Sequence, residues 1–206
     1  LAFRFISHGW SLKWLHREIL LSSTYQQASR HRSGPHEVDP ENRYLWRMNR
    51  RRLEIEAWRD TLLSVTGRLD SRIGGPPMKL EDQNNRLRTI YGLTKRRELS
   101  AILRLHDFPE PTAHSASRSK TTTPLQQLFT LNSPFMQSQA KHLVERLNRL
   151  STLDAKVSRA YALLYGRAPT SRQMALARAF LKVESPEMWE QYAQVLLGSN
   201  ELFFVD

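Results

Sequence analysis

A chain of 206 residues with 40% apolar residues is long enough to bury one core, or one core with a small appendage. It has no cysteine, which excludes disulfides, thiol catalysis and a cysteine-held haem or zinc within these residues, and no apolar run approaches the roughly 18 residues of a membrane span. The net charge of +11 is uneven: residues 1–150 hold 25 Lys and Arg against 14 Asp and Glu, whereas residues 151–206 hold six of each. An anion-binding surface therefore belongs to the first three quarters, and the dominance of Arg over Lys favours forked recognition of carboxylate, phosphate or sulfate.

In chain order, Leu1 to Ile6 reads as the tail of a helix ending near His8-Gly9, and the chain is expected to be a piece of a longer protein. Ser11 caps a second helix through about Ser22, with Leu12, Leu15 and Ile19 on one face. Arg30 to Val38, with Ser33-Gly34-Pro35, has loop chemistry. Asp39-Pro40-Glu41 then predicts an N-cap, a proline at N1 and a short helix through Trp46. Met48 to Gly67 predicts one long helix, capped by Asn49 and stopped by Gly67, with Leu53, Ala57, Trp58, Thr61, Leu62 and Val65 on its apolar face. Its arginines Arg50, Arg51 and Arg52 crowd the positive end of the helix dipole. That makes most sense where they leave the helix to meet carboxylates or a bound anion.

Asp70 to Arg88, with Gly74-Gly75-Pro76-Pro77, is a long connection. Arg88 to Thr94 is a weak strand without an obvious partner, Glu98 to Leu105 is helical, and His106 to Thr122 is irregular. The last third is clearer. Thr123-Pro124-Leu125-Gln126 is a capping box with proline at N1, and Ser133-Pro134, Ser151-x-x-Asp154, Thr170-x-x-Gln173 and Ser185-Pro186 open four more helices. Gly166 and Gly198 close two of them. The expected fold is mainly α: an irregular multi-helix domain over 1–206 with an antiparallel helical bundle in its C-terminal third, and a possible subdivision into 1–132 and 133–206.

Four constellations carry possible chemistry. Arg50, Arg51, Arg52, Arg59, Arg88, Arg96 and Arg118 are the candidates for holding an anion. The plainer reading of that cluster is an ion-pair network with Glu54, Glu56, Asp60, Asp39 or Glu41. His106, Asp107, His114 and Arg118 are the candidates for a catalytic role. With Glu110, the same loop offers nitrogen and oxygen metal ligands, but no helical i,i+4 pair completes a set. His114-Ser115 beside Asp107 suggests a hydrolytic triad without any nucleophile elbow. Arg86, Arg88, Tyr91, Lys95, Arg96 and Arg97 mix cations and an aromatic ring as single-strand binders do, yet no recognition helix or nucleic-acid motif accompanies them, which disfavours nucleic acid. His8, Trp10, Trp14 and His16 are read as packing.

Several stretches together carry a family resemblance: His8-Gly9-Trp10-Ser11-Leu12, Leu21-Ser22-Ser23-Thr24-Tyr25, Asp39-Pro40-Glu41-Asn42-Arg43, and Leu45 through Asp60. Asp107-Phe108-Pro109, Thr122 through Leu128, Leu131 through Phe135, Leu164 through Thr170 and Leu197 through Asp206 continue it in order. The chain resembles the planctomycete-specific C-terminal domain of unknown function that accompanies planctomycete cytochrome-c-like domains in large exported proteins. The resemblance implies a long extracytoplasmic parent, with haem c attached by an upstream segment and no cofactor or metal in this part. It implies partners among the upstream domains and assigns no catalytic residues. The family pattern has Cys where this chain has Ser115, ahead of Arg118, so a thiol role is lost at that position. The function expected from all this is an accessory module that holds an anionic partner, a polysaccharide or an acidic domain, on an Arg-rich face. The rival expectation is a share in a composite hydrolytic or redox site with an upstream domain.

Overall fold

The computed structural model describes residues 1–205, with eleven α-helices and one two-stranded sheet among them. The mainly α, irregular multi-helix architecture is the one expected. The chain falls into two compact units, one made of Leu1–Arg51 with Val205, the other of Arg52–Phe204. The expected subdivision near residue 132 coincides with the junction between two helices of the larger unit.

In the smaller unit, α1 (Ala2–Ser7) and α2 (Leu12–Leu20) meet at a corner where Gly9 and Trp10 take φ of 66° and 58°. Ser11 Oγ accepts from Trp14 N at 3.3 Å, the predicted cap. His8 stacks on Trp14 at 4.1 Å, and Arg4 lies over the same ring while pairing with Glu18. Two expectations exchange places next. The predicted loop contains α3 (Ser33–Val38), and the helix predicted after Asp39 is a series of turns. Asp39 does cap, accepting from Arg43 N and Tyr44 N at 2.9 and 2.8 Å. The helix is stopped because Asn42 and Leu45 take φ of 56° and 54°, a left-handed conformation that cannot propagate a right-handed turn.

The long helix expected from Asn49 is also corrected. Arg51–Arg52 form β1, paired with β2 (Phe204–Val205), and helix α4 spans only Ile55–Val65. Asn49 accepts a hydrogen bond from Asn42 instead of capping. The late start removes three guanidinium groups from the positive helix end and leaves Glu56 in the first turn, so the dipole conflict read from the sequence is resolved by unwinding. Gly67, at φ 75°, follows the helix end as predicted.

The segment from Arg68 to Ser100 holds little regular structure. In place of the expected strand there is one 3₁₀ turn, Thr89–Tyr91, with isolated bridges from Asp70 to Leu87 and from Met78 to Gly92. Gly92 sits so close to the buried Leu80 side chain that a Cβ there would collide with it. Then α5 (Ala101–Leu105), capped by Ser100, leads into the irregular stretch before α6 (Pro124–Asn132).

The helices α7 (Pro134–Leu147), α8 (Leu153–Tyr165), α9 (Ser171–Phe180), α10 (Pro186–Leu197) and the short α11 (Asn200–Phe203) complete the unit. The capping boxes at Thr123 and Thr170 and the caps at Ser133 and Ser185 form as predicted; the cap of α8 is Thr152, one residue past Ser151. The core joins Met136, Leu143 and Leu147 of α7 to Leu197 of α10, Leu181, and Ile55, Trp58 and Leu62 of α4, all at most 2% exposed.

Candidate functional site

The end of α5 and the start of α4 line a small pocket. Its walls include Arg52, Glu54, Trp58, His106, Asp107, Arg118, Lys120 and Phe203. At its floor the Trp58 indole is stacked between His106 (4.9 Å, 25°) and Phe203 (5.3 Å, 16°). His106 is not the loop residue the sequence suggested. It is 8% exposed, and its Nδ1 lies 2.9 Å from Ile102 O. A carbonyl only accepts, so Nδ1 carries the proton and the neutral ring presents a lone pair at Nε2. Burial pushes the His106 pKa down; the Ile102 hydrogen bond opposes this and the charge of Arg52 adds to it. Nε2 of His106 and Nε1 of Trp58 are both buried without a hydrogen-bond partner.

Asp107 follows in a left-handed conformation, φ 60°, which Asp tolerates better than most residues. Its carboxylate accepts from Thr121 N at 2.9 Å and Thr121 Oγ1 at 2.7 Å, tying the 118–121 strand of loop to the end of α5. Burial raises its pKa, but those bonds and the charge of Arg52 outweigh burial and hold it below the usual carboxylate value. Arg118 makes a two-pronged contact with Glu56 at 2.7 and 2.8 Å, adds Glu54 at 3.1 Å, and lies over the Phe108 ring. Arg52 donates from Nη1 to Gln126 Oε1 at 2.8 Å and to Thr121 O, with its guanidinium over Phe203. Gln126 in turn donates to Leu105 O at 2.9 Å. Neither Arg52 nor Lys120 has an ion pair among the described residues, whereas Arg118 has two.

The structure thus gathers Arg52, His106, Asp107 and Arg118. His114 lies apart, lining a shallower depression shared with Asp107, Arg118 and Ser115. No hydrogen bond joins His114, Ser115 and Asp107 among the described residues; Ser115 Oγ donates to Ser117 O, so the triad is not assembled. No group of three or more metal-ligating side chains forms among the described residues.

The other arginines are dispersed. Arg59 is fully buried. It donates to Leu87 O at 3.1 Å, Thr89 Oγ1 at 3.2 Å and Asn85 O at 2.7 Å, and lies over Phe135. No external anion reaches it, which corrects its place among the anion-binding candidates. Arg88 faces Asp60 at 3.5 Å. Arg96 is exposed in a separate loop, where Lys95 pairs with Glu98. In the smaller unit, Arg50 donates to Ser29 Oγ and Arg51 is exposed on β1. Within the larger unit, the arginines expected to form a single outward-facing cluster are therefore not one surface, Arg59 being buried and Arg118 ion-paired.

The sequence reading missed the pairing of Trp58 with His106 and the part played by Gln126, seen only as a capping residue. The one available signal was a polar Gln at N3 following a loop rich in candidate residues. Against this geometry, residues 1–181 match the family model described as PSD1, a protein of unknown function (DUF1553). The chain belongs to that family. No curated protein and no solved structure matches it. Among the described residues, no helix is long and apolar enough to cross a membrane.

Proposed function

We propose that this DUF1553 domain is a non-catalytic binding module that holds an anionic group at the mouth of the His106 pocket, with Arg52 and Lys120 as its cations. The observation that carries the reading is the contrast within the pocket: Arg118 is ion-paired with two carboxylates, while Arg52 and Lys120 line the same walls with no carboxylate at ion-pair distance among the described residues, Asp107 acting on Arg52 only from farther off. Arg52 is held in place by Gln126 and Thr121 O, so a pre-oriented guanidinium meets the ligand at little cost in lost freedom. The resemblance in sequence supports placing the module in an exported, haem-c-containing parent, with an acidic polysaccharide or an acidic neighbouring domain as its partner. A composite active site has the bare Nε2 of His106 in its favour, but Asp107, held by Thr121, does not orient that ring.

Retention on heparin at low salt tests the reading. The native chain is expected to elute later than a neutral control protein of similar size. The double variant Arg52→Gln, Lys120→Gln is expected to lose about tenfold in affinity for a sulfated or carboxylated ligand, roughly 1.4 kcal/mol. Arg96→Gln, a change of one charge at an exposed residue outside the pocket lining, is expected to leave affinity nearly unchanged. Equal losses from Arg96→Gln and from the double variant would mean diffuse charge rather than a site.

A further inference from the structure

The smaller unit has a depression of its own, which shares no residue with the His106 pocket. Its volume is about 560 Å³, and its lining includes Gln27, Arg30, Arg32, Tyr44, Leu45 and Trp46. Sites for small organic ligands run from about 300 to 1,000 Å³, so a ring-sized group fits. The two edges, the segment 27–32 and the turn 44–46, are tied together. Gln27 Nε2 donates to Leu45 O at 2.7 Å, Arg32 Nη2 donates to Trp46 O, and Met48 N donates to Ala28 O at 3.2 Å. Leu45 takes φ of 54°, a left-handed conformation that a bulky side chain keeps only where its surroundings hold it.

The lining combines two kinds of contact. Arg30 and Arg32 are exposed, and neither has a carboxylate at ion-pair distance among the described residues. The Tyr44 side chain is 84% exposed, while its backbone N–H is fixed by the Asp39 carboxylate at 2.8 Å. Guanidinium forks recognise carboxylate or sulfate, and a phenol ring offers an apolar face to the C–H side of a sugar and a hydroxyl to its polar edge. A reader of single-stranded nucleic acid presents successive rings to successive bases. Here Tyr44 is the exposed ring, whereas Trp46 is half-buried with the guanidinium groups of Arg32 and Arg47 over it at 5.7 and 5.0 Å. One open platform beside two cations suits one acidic sugar unit better than a run of bases.

We infer that this depression is a second binding site and that it takes an acidic sugar unit, a uronate or a sulfated sugar, with the sugar's apolar face on Tyr44 and its charge at Arg30 and Arg32. It depends on none of the residues of the His106 pocket.

The test uses the full 206-residue chain carrying Arg52→Gln and Lys120→Gln, so that the other pocket contributes little. This parent is titrated with a heparin hexasaccharide, hexagalacturonate, neutral maltohexaose and a thymidine hexanucleotide. At least one acidic hexasaccharide is expected to bind more tightly than maltohexaose. Adding Tyr44→Ala, which changes no charge, is expected to weaken that binding about fivefold or more, and Arg30→Gln to do the same. Arg17→Gln, an equal change of charge at an exposed residue of α2 outside the depression, is expected to shift affinity less than about twofold. The Trp46 indole N–H, which donates to Asp39 O at 2.8 Å, gives an NMR signal that checks that the turn is intact in each variant. If no acidic hexasaccharide binds, or if Tyr44→Ala binds like its parent, the site is overturned, and heparin retention of the native chain still decides the His106 reading separately. If the hexanucleotide binds more tightly than both acidic saccharides and loses as much in Tyr44→Ala, the depression is a nucleic-acid site and the saccharide assignment is overturned.

Discussion

Two sectors of the larger unit are stabilised by opposite means. In the bundle, α7 packs along α10 through side chains with no polar atoms to satisfy: Met136, Leu143, Leu147 and Leu197 are each at most 1% exposed. In the α4 sector, the irregular segment 85–89 has no ladder of its own, and a buried guanidinium takes the ladder's place. Arg59 reaches three oxygens of that segment, while Asp60, the next residue, accepts from Thr89 N and Thr89 Oγ1 at 2.7 Å each. Adjacent residues of one helix thus grip a turn from two sides, one as donor and one as acceptor. The difference teaches that a surplus of arginine in a composition is not a measure of surface charge. Several of these side chains are internal struts wherever the backbone cannot satisfy itself.

The contrast can be broken at Arg59. Replacing it by Ala leaves the carbonyls of Asn85 and Leu87 buried without donors and opens a void beside Phe135. At about 1–3 kcal/mol for each unsatisfied group, a loss of about 4 kcal/mol is expected in urea unfolding. Arg59→Met restores volume but not donors, and is expected to recover only a minor part of the loss. Full recovery would show that Arg59 serves as packing, and the two sectors would then be alike. The matching experiment in the bundle is Leu143→Ala, where transfer and cavity costs together give about 3 kcal/mol. There an isosteric apolar swap, Leu143→Met, is expected to recover most of it.

A smaller effect separates struts from surface pairs. Glu56→Gln removes the two-pronged partner of Arg118, both side chains being about a quarter exposed, and is expected to cost about 1 kcal/mol. The effect should appear first as faster proteolysis of the 107–121 segment, since Arg118 fastens that loop to α4. Arg178→Ala, which breaks the exposed pair with Asp154, is expected to change neither stability nor cleavage measurably.

The same contrast explains what the sequence disclosed. The bundle was legible because its rules are local: caps at Thr123, Ser133, Thr170 and Ser185 and a repeat of 3.6 residues both lie within a few positions of the helices they specify. The site was legible only as an inventory. His106, Asp107 and Arg118 were all noticed, but their association depends on pairings across 62 residues for Arg118 with Glu56 and 74 for Arg52 with Gln126, which no spacing rule encodes. The dipole conflict at Arg50–Arg52 did signal that those residues could not all be helical, and the structure resolves it by beginning α4 at Ile55. The failed prediction after Asp39 has a different cause. The N-cap chemistry is present and used, but Asn42 turns left-handed, pinned by its Nδ2 donating to Arg47 O at 2.9 Å, and a side chain-to-backbone bond outcompetes the next helical turn.

The gentlest probe of the comparison is pH, because the two sectors differ in what they hold that titrates. The cluster around α4 holds the buried His106 and the partly buried Glu56. Burial lowers the pKa of His106 from its ordinary 6.5, so the unfolded chain takes up this proton at a higher pH than the folded one. Stability linked to His106 is therefore complete above about 6.5 and declines as pH falls below it. Glu56 acts in the same direction at lower pH. Burial alone would raise it, but the hydrogen bonds and charge of Arg118 outweigh burial and set it below 4.5, so its contribution is present above that value and is lost beneath it. Urea midpoints measured from pH 7 downward should fall in two stages, the first owed to His106 and the second shared by Glu56 with other paired carboxylates such as Asp107. His106→Phe keeps a ring against Trp58 and removes the titration. It is expected to flatten the first stage, leave the second in place, and shift the whole curve down by the lost Ile102 hydrogen bond. A first stage that survived in His106→Phe would place its origin outside the pocket, in another titrating group, and His106 would then not be what links stability to pH in this range.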